Sequence, residues 1–420
     1  MSLAMVYDSN YWAIVIRNIN AGGGLYDYQG YYYTPVWGYI LGLANAFQNL
    51  FLGLGESAVR VEDIFYFEDS EHQTTATVTY LAFNYLTKVP LLIADTVLAY
   101  LAYVLTRDFT HDSRKAATAF ALVYLCPVII GSSAVIGMPD SISAMFMMMS
   151  VILVMRGRNF LGGACFSMAA LTKFFPVFLL FPLVAYVLSR RKGDLKTGAA
   201  DVAMAAAGAA AVALIIFAPQ IIDGNIADAF RFISDRTGSS SGSGSSSVLS
   251  FVIGRSRIIV YLLVIAASAL VARAIYRADA KDLDTALLRG SMITMALTMA
   301  YPPATQYICV VVPLLAVYAV SINRDYMLSW KLLAVGATVV MTVSLSTHLL
   351  PIAVSTGWIE VSSLAHFFDV WNAGGTWSVW NVQFVIGSIF QYFGSFSILL
   401  FAYYGRFRRY LAERRGADPA

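Results

Sequence analysis

Lys88 and Asp95 are the only charged residues in FNYLTKVPLLIADTVLAYLAYVL (83 to 105), and they stand seven residues apart. Seven residues make two helical turns, so both project from one face towards the same interior. A charge at membrane depth is costly unless it is paired or lines a cavity. The pair therefore reads either as a tether between helices or as part of a polar site. Lys173 stands in the tight turn LTKFF (171 to 175). A lone lysine at a helix end either snorkels to the headgroups or, flanked here by Phe174, Phe175 and Pro176, reaches a phosphate at the membrane surface. Arg231, Asp235 and Arg236 precede the run GSSSGSGSSS (238 to 247), and Arg255 and Arg257 follow it. The run is a flexible, low-complexity linker by composition. Its arginines either stay solvated or order over an anionic substrate, because guanidinium matches phosphate in bidentate geometry. Trp371, Trp377 and Trp380, near Gly374 and Gly375, read as an interfacial belt or as a stacking surface for a sugar ring or lipid chain. Asp8, in MSLAMVYDSNYW, arrives before the chain has length enough to cross a membrane.

These residues must be positioned by helices. The chain is 59% apolar and 13% charged over 420 residues, whereas a soluble domain is about half apolar and about a quarter charged. The apolar residues come in stretches of about twenty, the length of a spanning α-helix, and not in the alternating segments of an outer-membrane barrel. The fold class is all-α, a polytopic membrane protein. A net charge of +3 is too small to suggest a nucleic-acid partner. Cys126, Cys165 and Cys309 lie inside apolar stretches without metal-ligand spacing and read as packing residues. A GxxxxGK[ST] signature is absent from the sequence, so the energy for any chemistry has to come from a substrate activated elsewhere.

Eleven spans are expected near residues 77 to 105, 115 to 137, 139 to 155, 159 to 172, 174 to 189, 199 to 219, 256 to 272, 286 to 302, 306 to 322, 330 to 350 and 381 to 404. The segment 159 to 172 is short for a span and reads as shielded by its neighbours. Threaded alternately, these spans gather 20 of the 28 Lys and Arg residues on one side, which is therefore cytoplasmic. The acidic stretch GESAVRVEDIFYFEDSEH (55 to 72), the turns GMPD (137 to 140) and LTKFF, and the loops 220 to 250 and 351 to 380 fall on the other side. TPVWGYILGLANAFQNLFLGL (34 to 54) is long enough to span, but a span there would carry Asp8 into the cytoplasm. Asn45, Gln48 and Asn49 with Trp37 and Tyr39 favour an interfacial or re-entrant segment. The expectation is one integral-membrane domain over 1–420. It comprises a first outer loop (1–75), core helices with the Ser/Gly loop (76–260) and C-terminal helices (261–420), about 11–12 transmembrane helices in all.

Four stretches, in order and spacing, resemble the multi-spanning GT-C glycosyltransferases that use polyprenyl-phosphate sugars. They are YDSNY (7 to 11) with GGGLYDYQGYYYTPVWGYIL (22 to 41), the Lys88/Asp95 segment, GMPDSISAMFM (137 to 147) and GGACFSMAALTKFFPVFLLFP (162 to 182). DRTG and the serines after it, 235 to 247, resemble the family's arginine-bearing outer loop more weakly. The likeness runs from the N-terminus to about residue 260 and is nearest to the GPI mannosyltransferase I catalytic subunit and related polyprenol-phosphate-mannose-dependent mannosyltransferases. It implies a hexosyltransferase, for mannose, that takes its sugar from a polyprenyl or dolichyl phosphate to a glycan or lipid acceptor. The active face would be extracytoplasmic, in a multi-pass protein of the cell membrane. It implies Asp8 as catalytic base, Lys173 and Arg236 as phosphate-binding residues, and Asp140 as a residue that positions acceptor or sugar. Asp27, also in the first loop, is the alternative base, Lys88 and Asp95 are further substrate-binding candidates, and tyrosines 31 to 33 shape the loop. Family members often carry a DxD pattern where this chain has Asp8, Ser9 and Asn10, so no metal and no cofactor are expected. The family's helix before the acid is missing, and MSLAMVY resembles its tail, which leaves room for a late start or a partner subunit that supplies the span.

A polyprenyl-phosphate sugar has a good leaving group, so cationic stabilisation suffices on that side. The acceptor hydroxyl needs a base within about 3 Å. One carboxylate with one cationic cradle suits a single inverting displacement rather than the two-carboxylate chemistry of glycoside hydrolysis. A catalytically silent subunit of such an enzyme and a lipid or sugar transporter are the competing readings. Against the transporter stands the lack of a clear internal repeat.

Overall fold

The computed structural model describes residues 7–27, 31, 33–53, 61–69, 72–79, 81–230, 248–299, 305–355, 357–360, 362–363, 366–367, 370, 373–374 and 377–414. Side chains are described at these positions except 7–11, 61–69, 72–79, 81, 248–260, 343–355, 380 and 405–414. Helices α1 (Tyr7–Asn20) and α2 (Pro35–Phe51) come first, followed by a hairpin of β1 (Val61–Asp69) and β2 (His72–Thr79). The remainder is helical: α3 (Leu81–Thr110), α4 (Ser113–Tyr124), α5 (Pro127–Ile130), α6 (Asp140–Met155), α7 (Asn159–Thr172), α8 (Leu180–Ser189), α9 (Leu195–Ile222), α10 (Val248–Tyr276), α11 (Leu283–Thr298), α12 (Val312–Ser321), α13 (Met327–Ser355) and α14 (Val379–Arg414).

Each of the eleven apolar stretches is helical over most of its described length, with 77–79 in a strand and 80 and 300–302 outside the described residues. Among the described residues, Ala82–Thr110, Ser113–Val135, Leu195–Ile222 and Asn381–Tyr404 are long and apolar enough to cross a membrane, and five shorter apolar helices accompany them. The protein is an all-α polytopic membrane protein, and among the described residues one hairpin departs from its helical content. The acidic stretch expected as loop forms most of an antiparallel hairpin whose register shifts between Phe65 and Phe67. Its physical reason is legible in IFYF and TTATVT, runs of aromatic and β-branched residues that favour a pleated strand.

Helix ends are set by local chemistry. Asp112 accepts from the Arg114 and Lys115 amides at 2.8 and 3.3 Å and starts α4. Asp194 accepts from the Thr197 hydroxyl and amide and starts α9; these bonds hold its carboxyl below the usual range. Such caps satisfy amide donors that the first helical turn leaves free. The short helix α7 packs between α6 and α9. A Cβ on Gly163 would fall on the Ala205 carbonyl and one on Gly208 on the Phe160 carbonyl. Only glycine lets these backbones approach, the small-residue packing expected between helices in lipid.

The basic turns gather at one end of the bundle. There Arg156 pairs with Asp108 at 2.8 Å, Arg191 with Asp201 at 3.2 Å, Arg190 donates to the Val154 carbonyl and Lys192 to the Ala278 carbonyl. At the other end a second core holds the N-terminal region. In it Trp12, Val15 and Ile16 of α1 and Trp37 and Leu41 of α2 pack with Phe83 and Leu91 of α3 and with Met138. Helix α2 turns Asn45 and Gln48 inward, leaving Leu43, Phe47 and Leu50 exposed. The polar residues that suggested an interfacial helix thus face the protein, where Asn45 exchanges amide hydrogen bonds with Asn20.

Candidate functional site

The site begins with a defect in a helix. After α5 the chain widens into a π-helical turn, Gly131–Val135, in which the Ile136 amide reaches back to the Gly131 carbonyl. Gly137 then reverses the chain at φ +79°, a left-handed conformation that favours glycine. The Met138 amide returns to the Ser132 carbonyl at 2.7 Å, and Pro139 leads into α6. π-turns are rare and recur at functional sites.

Three buried side chains hold this turn. The Lys88 ammonium donates to the Val135 carbonyl at 2.8 Å. The Ser133 hydroxyl bonds the Asp95 carboxylate. The Cys309 thiol lies 3.3 Å from the Ser132 hydroxyl. Lys88 and Asp95 do share a face of α3, and the structure turns both to the same π segment, which sets the direction of the GMPD turn. Cys126 is also buried, Cys165 is half-buried, and all three cysteines are free.

The defect delivers Asp140 to the first turn of α6, where a helix N-terminus favours negative charge. Lys173 arrives from another direction. Helix α7 ends at Thr172, Lys173 takes an extended backbone, and the 3₁₀ turn Phe175–Leu179 restarts the chain with Pro176. The Lys173 ammonium lies 3.5 Å from Asp140 Oδ2, with the two side chains only 11% and 2% exposed. That separation exceeds the 2.7–2.9 Å of a tight charge-assisted hydrogen bond.

Two aromatic rings complete the enclosure. The ammonium stands 4.6 Å from the Tyr33 ring centroid and 5.2 Å from that of Tyr307, within the range of a cation–π contact. It also donates to the Tyr33 hydroxyl at 3.5 Å. Tyr307, in the 3₁₀ segment Thr305–Val310, rests on Phe175. Tyr33 is held by its own loop. Tyr26 donates to the Tyr33 carbonyl and Tyr31 to the Thr34 carbonyl, and burial pushes both donor phenols up, which keeps them protonated. Trp12 meets Tyr33 edge-on at 6.0 Å and Trp37 at 5.1 Å.

Asp140 and Lys173, 33 residues apart in the chain, are thus brought together. Asp27 is exposed and accepts from the Gly24 amide at 2.6 Å, a local turn contact. Asp8 lies in the first turn of α1, four residues before Trp12; its side chain lies outside the described residues, as do Arg231, Asp235 and Arg236 and the side chains of Arg255 and Arg257. Of the three tryptophans near Gly374, Trp377 is exposed, and the side chains of Trp371 and Trp380 lie outside the described residues. The sequence reading missed Tyr307 and gave Tyr33 only a shaping role. Nothing in the pattern around either marks a partner so distant in the chain. An ammonium set between a carboxylate and two rings suits an anionic group on a partly apolar ligand.

The model of glycosyltransferase family 87 matches residues 75–313, more than half of the chain. The match takes in Lys88, Asp95, Asp140 and Lys173 and begins after Asp8. It gives the family, and not the narrower likeness to GPI mannosyltransferase I. No curated protein gives a significant match.

Proposed function

Because the chain belongs to glycosyltransferase family 87, we propose that it moves a hexose, mannose in our reading, from a polyprenyl-phosphate sugar to a glycan or lipid acceptor. The transfer takes place at the extracytoplasmic face of the cell membrane. The observation that carries this reading is the enclosed Lys173–Asp140 pair at the end of the bundle opposite the basic turns. A phosphodiester donor presents one negative charge beside a long apolar chain. A cation at a helix end, flanked by the rings of Tyr33 and Tyr307 with Phe175 behind Tyr307, meets both halves of that ligand.

The chemistry is a single displacement. The acceptor oxygen attacks the anomeric carbon, the bond from that carbon to the phosphate oxygen breaks, and the configuration inverts. The departing phosphate monoester takes the bonding electrons, and Lys173 stabilises its growing charge. Arg236 adds a second cation from its loop. Asp8 accepts the proton of the acceptor hydroxyl. Asp140 acts as the counter-ion that keeps Lys173 charged and in place before the donor arrives. The 3.5 Å contact supports this role, which stands beside the positioning of acceptor or sugar that the family likeness implies. Lys88 and Asp95 serve the site through the π turn that aims Asp140.

The test is transfer in membranes. Wild type and Asp8→Asn are supplied with radiolabelled polyprenyl-phosphate mannose and a lipid extract from the source of the chain. Transfer by wild type that vanishes in Asp8→Asn, with donor still bound, supports the reading. Donor binding without transfer by wild type transfers the case to a silent subunit, and neither binding nor transfer removes the donor assignment.

A further inference from the structure

Tyr33 touches two things that the proposed reaction needs to hold in register. One is Lys173, whose ammonium sits over its ring and donates to its hydroxyl. The other is α1, whose Trp12 packs edge-on against the same ring. Trp12 is fully buried, as are Ala13, Val15 and Ile16 beside it, so α1 is fixed to the second core and to this ring together. The Tyr33 hydroxyl also lies 3.8 Å from Met138 Sδ in the GMPD turn that delivers Asp140. Tyr307 differs: it meets the ammonium from another side, and its ring partner is Phe175, next to Lys173 in the chain.

We propose that Tyr33 is a positioning residue that couples α1, the helix that carries Asp8, to Lys173, and that Tyr307 positions Lys173 alone. The inference rests on Lys173 being the donor-phosphate cation and Asp8 the base. A ring at position 33 does two jobs. It holds the ammonium where the phosphate arrives, which governs donor affinity. It also sets the distance from the first-loop helix to that phosphate, which governs how often base and anomeric carbon are aligned. Alignment enters the chemical step and leaves donor binding untouched. The hydroxyl is secondary, because its contacts at 3.5 and 3.8 Å are long for hydrogen bonds.

The experiment compares full-length Tyr33→Leu, Tyr33→Phe, Tyr307→Leu and Lys173→Ala with wild type in membranes, with polyprenyl-phosphate mannose as donor. It reads the donor KM, kcat and, separately, donor binding. Loss of one cation–π contact corresponds to about three- to thirty-fold in affinity. Tyr307→Leu is expected to raise the donor KM by that order at unchanged kcat. Tyr33→Leu is expected to raise KM similarly and to lower kcat about tenfold or more. Tyr33→Phe keeps both constants within about twofold, the rescue that a merely space-filling role would not require of a ring. If Tyr33→Leu changes KM alone, the coupling is wrong while the phosphate cation stands. If Tyr33→Phe loses as much as Tyr33→Leu, the hydroxyl acts and the ring does not, which also overturns it. If Lys173→Ala leaves donor binding intact, the reading of the cradle fails first and the inference with it.

Discussion

The two ends of the bundle each carry ion pairs, and they are built on opposite terms. At the basic end Arg156 and Asp108 meet at 2.8 Å with about half of each side chain exposed. At the other end Lys173 and Asp140 meet at 3.5 Å with almost no exposure. The shorter pair is the weaker contributor, because water and salt screen it. The longer one sits where screening is slight and each charge depends on its partners. Loss of one partner should therefore cost more at the buried pair than at the exposed one, the reverse of the order that distance suggests. At the basic end the pairs tie neighbouring turns to one another. The other end encloses its cation beside a carboxylate and two aromatic rings.

The comparison can be broken by mutation. The largest effect is expected from Asp8→Asn, a fall in kcat of about 10²–10⁴ with donor binding retained, read from transfer and donor binding in parallel. Asp140→Ala removes one member of the enclosed pair and should destabilise the fold by about 3–5 kcal/mol, measured by thermal unfolding in detergent. Gly208→Val drives a side chain into the Phe160 carbonyl on the seam where α7 and α9 join, α7 being the helix that ends at Lys173. It should lower the same transition by about 1–3 kcal/mol. Arg156→Ala tests the basic end and should change stability by no more than about 0.5 kcal/mol, after allowance for the exposure of the pair. A loss from Arg156→Ala equal to that from Asp140→Ala would erase the contrast between the ends.

Much of the architecture was legible because a spanning helix announces itself locally. Twenty apolar residues with charged turns at each end need no partner to be recognised, and the eleven stretches are mostly helical over their described residues, four of the helices being long enough to span. The acidic stretch was read as loop because its charges outweighed the alternation that makes Val61–Thr79 a hairpin. Lys88 and Asp95 were correctly set on one face by spacing alone, while their shared hold on the π turn was not visible, since that turn begins 43 residues after Lys88 in sequence. The meeting of Asp140 with Lys173 was not legible: the family likeness gave each a separate role and did not pair them. The rings of Tyr33 and Tyr307 join by folding alone: one lies in the first loop, the other before α12, and no periodicity links them. That Asn45 and Gln48 turn inward was not legible, because buried amides and interfacial amides look alike in a sequence.

Whether Lys173 holds the phosphate of a lipid-linked sugar is decided by equilibrium binding of polyprenyl-phosphate mannose to purified wild type, Lys173→Ala and Arg156→Ala, with a folding check on each. Lys173→Ala is expected to bind at least about tenfold more weakly, the scale of a charge-assisted hydrogen bond, and Arg156→Ala to bind as wild type does. Equal affinity in all three proteins would contradict that role of Lys173.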